Sequence, residues 1–373
     1  MVEIKNTSNK MMFFDVSKKQ LFDNIWDVLT IDTIKKANYF NHFNNSSHLI
    51  QSPDIYHTVI PNIYPIPSKS RWVLTNNVFK CTQSLQVSKN NLETDEIISK
   101  LINPIKKYKI GVELSGGLDS SLIIGAFKKN KVNPYLIGFY SKRFEFRTER
   151  HIQDLYKNGA DKYELIDSDE ILPFQDLLHT PKHQLPYHSS LWYYAKKYTG
   201  LICNNNNIDI LFNGMAGDAI FCEEVGDSFP HAWYNWMMDY GWFNEYVFNE
   251  YQIKYLPVYS KALIEQIFKS RIGQDYDAQK NWAREYFKNY LPTELVDFNY
   301  KADHIGELLA GIKNSYKDVL ELFRFTNEVI GDKEFTNEKF RMLYDKIEKY
   351  DDKQLTEIFA KVSYANWVYS ILK

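Results

Sequence analysis

The stretch Lys109-Ile-Gly-Val-Glu-Leu-Ser-Gly-Gly-Leu-Asp-Ser-Ser121 constrains the fold of this chain more than any other. An apolar run stops at a loop of small hydroxyl residues and glycine, then resumes as Leu122-Ile-Ile-Gly-Ala-Phe127. This order predicts a buried strand, a phosphate-binding loop and a helix. Gly116 and Gly117 let backbone N–H groups approach an anion. Ser115, Ser120 and Ser121 add hydroxyl donors, and the following helix presents the positive end of its dipole. A carboxylate at Asp119, beside a phosphate site, makes chemical sense when a divalent cation lies between the two. A serine-glycine turn capping a helix is the plain alternative. The loop has neither a Walker lysine pattern nor G-x-G-x-x-G, which excludes the two commonest nucleotide loops there.

From residue 109 strand and helix signals alternate. Strands are expected over 109–114, 134–139, 162–166 and 208–212, and helices over 118–128, 148–158, 170–178 and 190–198. Such alternation implies an α/β fold with a doubly wound parallel sheet. Ligands bind these sheets at the carboxyl ends of the strands. A second strand-to-turn element, Ile208-Asp-Ile-Leu-Phe-Asn-Gly-Met-Ala-Gly-Asp-Ala-Ile-Phe221, would end at the same edge and bring Asp218 to Asp119.

Residues 1–100 carry short strand-like pieces, Met11-Met-Phe-Phe-Asp15, Tyr56-His-Thr-Val-Ile60 and Arg71-Trp-Val-Leu-Thr75, and read as a small β-rich domain. Beyond Asp218 the chain turns aromatic and helical, most of those rings being core residues. A length of 373 residues suffices for one large core plus an appended region. With 45 basic against 47 acidic residues there is no nucleic-acid footprint. No apolar run is long enough to span a membrane, and the polar start lacks the pattern of a signal peptide. Cys81, Cys203 and Cys222 form no C-x-x-C pair, which fits a reducing compartment, so a cytoplasmic protein is expected. Cys222 reads as an inert thiol. His179-Thr-Pro-Lys-His183 has ligand-like spacing, but Pro181 disfavours a helix, and both histidines read as solvated loop residues.

The segment from Ser115 to Ser121 resembles the pyrophosphatase loop of the ATP-pyrophosphatases, which split ATP into AMP and pyrophosphate while activating a carboxylate or carbonyl. The second element is similar to the G-x-G-x-D-E-x-F motif of the asparagine synthetase and β-lactam synthetase family. Tyr290-Leu-Pro-Thr-Glu-Leu-Val-Asp-Phe-Asn-Tyr-Lys-Ala-Asp303 resembles that family's L-P-x-x-[IV]-x-x-R-x-K segment, which supplies an active-site lysine. The resemblance implies a sheet like that of the adenine nucleotide alpha-hydrolases, with a synthetase domain over 101–373 that becomes helical toward its C-terminus. It implies ATP contacts from Leu114, Ser115, Gly116, Gly117, Asp119, Ser120, Ser121 and Gly214, magnesium on Asp119 and Asp218, and catalysis by Lys301. Glu149, in Phe144-Glu-Phe-Arg-Thr-Glu-Arg150, matches an acidic residue near the nucleotide, with helix-dipole complementarity as the alternative. Pro186-Tyr-His-Ser-Ser190 resembles a segment bordering the acyl substrate pocket.

The departures from that family bear on the substrate. Complete asparagine synthetases open on a glutaminase whose cysteine directly follows the initiator methionine, whereas this chain has Val2. Val59-Ile-Pro-Asn-Ile-Tyr-Pro-Ile-Pro-Ser-Lys69 is similar to the end of that domain, so residues 1–100 read as a catalytically empty remnant of it. Nitrogen must then come from ammonia, another subunit or an amine on the substrate. Met215 stands where asparagine synthetases carry glutamate and β-lactam synthetases tyrosine; Ala216, Ala219 and Asn299 also depart from the pattern. Asparagine synthesis is not expected, and a general base would come from Asp239, from Glu245 or from an amine already neutral in a dry pocket.

The expected activity is adenylation of a small-molecule or peptide carboxylate followed by amide formation. It resembles that of macrolactam-forming lasso peptide cyclases and related natural-product ligases, in complex with a partner protein where one exists. Neither nucleic acid nor membrane is an expected partner. Two alternatives are an ammonia-dependent amidotransferase acting on a sugar carboxylate of surface polysaccharide, and a nucleotide-binding pseudoenzyme or scaffold subunit.

Overall fold

The computed structural model describes residues 2–5, 12–35, 62–66, 71–75, 78–83, 94–142, 147–215, 217, 221, 242–257, 280–297 and 305–373. The described strands are β1 (Val2–Lys5), β2 (Met12–Asp15), β3 (Gln20–Phe22), β4 (Ile63–Ile66), β5 (Arg71–Thr75), β6 (Val78–Gln83), β7 (Ile110–Glu113), β8 (Tyr135–Tyr140), β9 (Tyr163–Asp167), β10 (Ile210–Asn213) and β11 (Lys254–Pro257). The described helices are α1 (Ile31–Lys35), α2 (Thr94–Ile102), α3 (Leu118–Lys129), α4 (Arg147–Asn158), α5 (Tyr193–Asn205), α6 (Trp242–Asn249), α7 (Asn281–Tyr286), α8 (Thr293–Val296), α9 (Ile305–Asn314), α10 (Tyr316–Ile330), α11 (Asn337–Tyr344) and α12 (Asp352–Leu372).

They pack as two compact units. One comprises Met1–Val87, Asp176–Leu191 and Ser315–Lys373, the other Ser88–Gln175 and Trp192–Asn314. The first unit holds two antiparallel sheets, ordered β1-β5-β6 and β3-β2-β4. Their inward residues Ile4, Phe14, Ile66 and Trp72 form one apolar cluster. Phe323 on α10, Phe335, Phe340 on α11 and Tyr364 on α12 stack into a second core of the same unit. The strand expected over 56–60 lies outside the described residues.

Buried in this first unit are His183 and His188, whose pKa values burial lowers from 6.5 to about 4, the Pro181 carbonyl pulling the other way at His183. His183 is therefore not the solvated loop residue expected: its Nδ1 bonds the Pro181 carbonyl at 2.8 Å and meets Ser370 Oγ at 3.2 Å, while His179 does stand in solvent. Below about pH 6.5 the unfolded chain takes protons that the folded unit refuses. Stability from this source is complete above pH 6.5 and falls as pH drops toward 4, by up to about 3 kcal/mol per histidine. Denaturant titrations at pH 7.5 and 4.5 test this, and His188→Phe is expected to remove close to half of the histidine contribution to the difference.

The second unit holds a five-stranded, wholly parallel sheet in the order β11-β10-β7-β8-β9. Its inner strands β7, β8 and β10 are largely apolar and buried, while the edge strands β9 and β11 carry charged residues at Glu164, Asp167 and Lys254. Along β10, Phe212 meets Phe127 of α3 edge-on at 5.0 Å, while neighbouring Leu211 faces the cluster of Ile202, Cys203, Phe248 and Tyr255 on the other side. Burial pushes the Cys203 thiol up, leaving it inert.

The helix expected over 170–178 does not form. Short 3-10 turns at Ser168–Glu170 and Leu177–His179 replace it, and Pro173 with left-handed Phe174 (φ 67°) and Asp176 (φ 59°) breaks the helical path. Likewise α5 starts at Tyr193, after a 3-10 turn over His188–Trp192, and runs on to Asn205.

Gly125 in α3 is required for a close approach. A Cβ there would lie 1.8 Å from the Tyr290 carbonyl oxygen, in the turn that leads into Leu291-Pro292. Gly125→Ala sets backbone against backbone and is expected to destabilise the protein by about 2–3 kcal/mol, measured by chemical denaturation.

Candidate active site

The sequence runs outward from β7 through β8 to β9, then returns to place β10 and β11 on the other side of β7. The β7/β10 boundary is thus the switch point of the sheet, the place at whose carboxyl edge such folds bind their ligands. Both glycine loops begin there, one at Leu114 and the other at Gly214.

The first loop is shaped by its own residues. Gly116 has φ +90°, and a Cβ on it would lie 2.3 Å from the Glu149 carbonyl oxygen. Gly117 N–H donates to Ser115 Oγ (3.1 Å), Ser115 N–H to Ser120 Oγ (3.2 Å), and Ser120 Oγ to the Gly117 carbonyl (3.2 Å). The hydroxyls thereby set the loop as well as supplying polar groups. Ser121 Oγ is buried without a hydrogen-bond partner among the described residues. Gln153 of α4, unremarkable in the sequence, donates to the carbonyls of Leu114 (3.2 Å), Ser115 (3.1 Å) and Phe139 (2.8 Å), fastening the loop entrance to β8. From the same helix, Glu149 Oε1 would lie 3.8 Å from a Cβ on Gly117, so this carboxylate is held at the loop.

The second loop packs directly on the first. A Cβ on Gly217 would lie 2.4 Å from Asp119 Cγ, and one on Gly214 would lie 3.0 Å from Ser120 N. Asp119 also receives two hydrogen bonds from Lys280 Nζ, at 2.7 and 2.8 Å. Lys280 is 7% exposed and left-handed (φ 57°) at the start of α7, its ammonium 5.8 Å from the Phe221 ring centroid. No sequence motif marked it: a single lysine in a polar stretch carries no period or spacing, and only the packing of 280–297 against α3 brings it to Asp119.

Asp218, Asp239 and Lys301 lie outside the described residues, as do Ala216, Ala219, Cys222 and Asn299. Glu245 is exposed in the first turn of α6. The buried stretch 187–190 belongs to the other unit, where His188 packs on Phe359 of α12 at 6.4 Å. Among the described residues no group of three or more His, Cys, Asp or Glu side chains could hold a metal. Asp119 nevertheless engages a cation through both oxygens, so a divalent ion suits its chemistry.

The asparagine synthase family matches residues 105–299, more than half of the chain. The chain belongs to that family. The family is one of ATP-dependent ligases that form carbon-nitrogen bonds. The matched span takes in both strand-end loops, Lys280 and Leu291-Pro292, and stops just short of Lys301. Among solved structures, NMN synthetase from Francisella tularensis is similar at 12% identity, covering 65% of this chain and 94% of its own, with a TM-score of 0.33. No curated protein matches the chain significantly. Among the described residues no helix is long and apolar enough to cross a membrane.

Proposed function

We propose that this chain adenylates a substrate carboxylate with ATP, releasing pyrophosphate, and couples the acyl group to an amine carried by the substrate, as in macrolactam-type peptide or natural-product biosynthesis. The observation that carries this reading is the meeting of two glycine loops over Asp119, with the buried ammonium of Lys280 beside them. Backbone N–H groups, a helix N-terminus and a desolvated cation form a receptor for a polyphosphate.

In the first step a carboxylate oxygen attacks the α-phosphorus of ATP and the bond to pyrophosphate breaks. The loop over 115–121 and Lys280 hold the charge that accumulates on the departing group. Magnesium held by Asp119 and Asp218 would neutralise the same charge. In the second step the amine nitrogen attacks the acyl carbon, AMP departs, and the amine gives up its proton. Lys301 neutralises the oxyanion, while Asp239 or Glu245 takes the proton that Met215 cannot.

Pyrophosphate release from ATP with candidate acids tests the proposal. The expected result is release dependent on the acid, and amide product without added ammonium or glutamine. Dependence on ammonium would assign the ammonia-using amidotransferase instead, and ATP binding without pyrophosphate from any acid would point to a scaffold.

A further inference from the structure

Glu113 ends β7 one residue before the phosphate loop begins, and the register that pairs Phe212 with Val112 sets Asn213 of β10 beside it. The carboxylate is only 12% exposed and accepts from two donors. Lys196 Nζ of α5 bonds Oε1 at 2.9 Å, and Asn213 Nδ2 bonds Oε2. At its other end the Asn213 amide accepts the Met215 N–H through Oδ1 at 2.5 Å. The chain Lys196, Glu113, Asn213, Met215 therefore runs from a helix on one face of the sheet, across the strand ends, into the backbone of the second glycine loop.

We propose that Glu113 is a positioning residue, whose charge fixes the Asn213 amide and through it holds the second loop in the shape that packs on Asp119. The argument is one of hydrogen-bond polarity. Met215 N–H needs an acceptor, so Asn213 must turn Oδ1 toward it and Nδ2 toward residue 113. Lys196 offers only donors. Residue 113 thus faces donors on both sides, and only an ionised carboxylate accepts from both. A glutamine has a single acceptor oxygen: given to Lys196, it leaves one amide NH2 facing another, and turning Asn213 to relieve this confronts the Met215 N–H with a donor. Gly214, the next residue, and Gly217, three further on, are points where the second loop touches Ser120 and Asp119. An error at Asn213 is therefore passed to the nucleotide loop.

The same polarity argument specifies a rescue. In Glu113→Gln with Asn213→Asp, the introduced glutamine gives its oxygen to Lys196 and its NH2 to the new carboxylate, whose second oxygen accepts the Met215 N–H. Every bond and the net charge are restored.

The test is this cycle of two single variants and the double variant, read by amide hydrogen exchange over 213–217 and by affinity for ATP with magnesium. Each single variant is expected to exchange about tenfold faster in that segment and bind ATP about tenfold more weakly, while the double variant returns to within about threefold of the parent in both. Exchange in α12 should not change in any of them. The ATP arm rests on the function proposed above, whereas the exchange arm does not, so a parent that fails to bind ATP would sink that function and still leave this proposal to be judged by exchange. Parental exchange in Glu113→Gln, or a double variant no better than the singles, would overturn it. Should a single variant not fold, the double variant must still fold and exchange like the parent.

Discussion

Asp119→Asn is expected to lower acid-dependent pyrophosphate release by about a hundredfold or more. The amide that replaces the carboxylate keeps one oxygen for Lys280 but loses the charge that, on the function proposed above, would order cations around the phosphates. The pairing with Lys280 adds a cost in stability: a buried ammonium loses its counter-charge, at about 1–3 kcal/mol. Release kinetics and thermal denaturation of the same preparation separate the two effects. Turnover at the parental rate would remove Asp119 from the site.

The second large effect is expected at Gly116. Alanine there must adopt φ +90° and place its Cβ 2.3 Å from the Glu149 carbonyl oxygen, a contact with backbone that no rotamer relieves. The loop must shift, and with it the N–H groups that would face the phosphates on the function proposed above, so ATP affinity is expected to fall by about a hundredfold and stability by about 2–4 kcal/mol. Gly331→Ala serves as the control. It has φ +72° but open space around it, so only the conformational cost of about 1 kcal/mol applies and ATP affinity should hold. Equal effects of the two substitutions on ATP affinity would show that the approach of Glu149 has no bearing on the loop.

What was legible in the sequence follows from local physics. Strands β7, β8 and β10 announced themselves because burial makes most of each an apolar run, whereas the edge strand β9, with Glu164 and Asp167 in it, is only partly buried; the glycines marked where backbone must come close to something. The misreadings have equally local causes. Residues 170–178 show helical spacing of Ile171, Phe174 and Leu178, yet Pro173 and two left-handed residues break the path. His183 sat between prolines in a polar stretch, and its burial arises from packing the sequence does not mark, with Tyr187 stacked on its ring at 5.8 Å and Ser370 of α12 at 3.2 Å. Lys280 and Glu113 were invisible for one shared reason. A charged side chain reads as solvated until its partner is known, and Asp119, Lys196 and Asn213 come from other elements.

The contact at Gly125 has a mechanical consequence. Helix α3 begins at the phosphate loop, and about 10 Å along its axis it bears on the Tyr290 carbonyl with no side chain between them. Such a joint has no slack. Any tilt of α3 displaces the turn at 288–290 like the short arm of a lever, and with it the Leu291-Pro292 segment that follows. The helix that starts at the first glycine loop and the turn before Pro292 are thereby geared to each other through a single glycine.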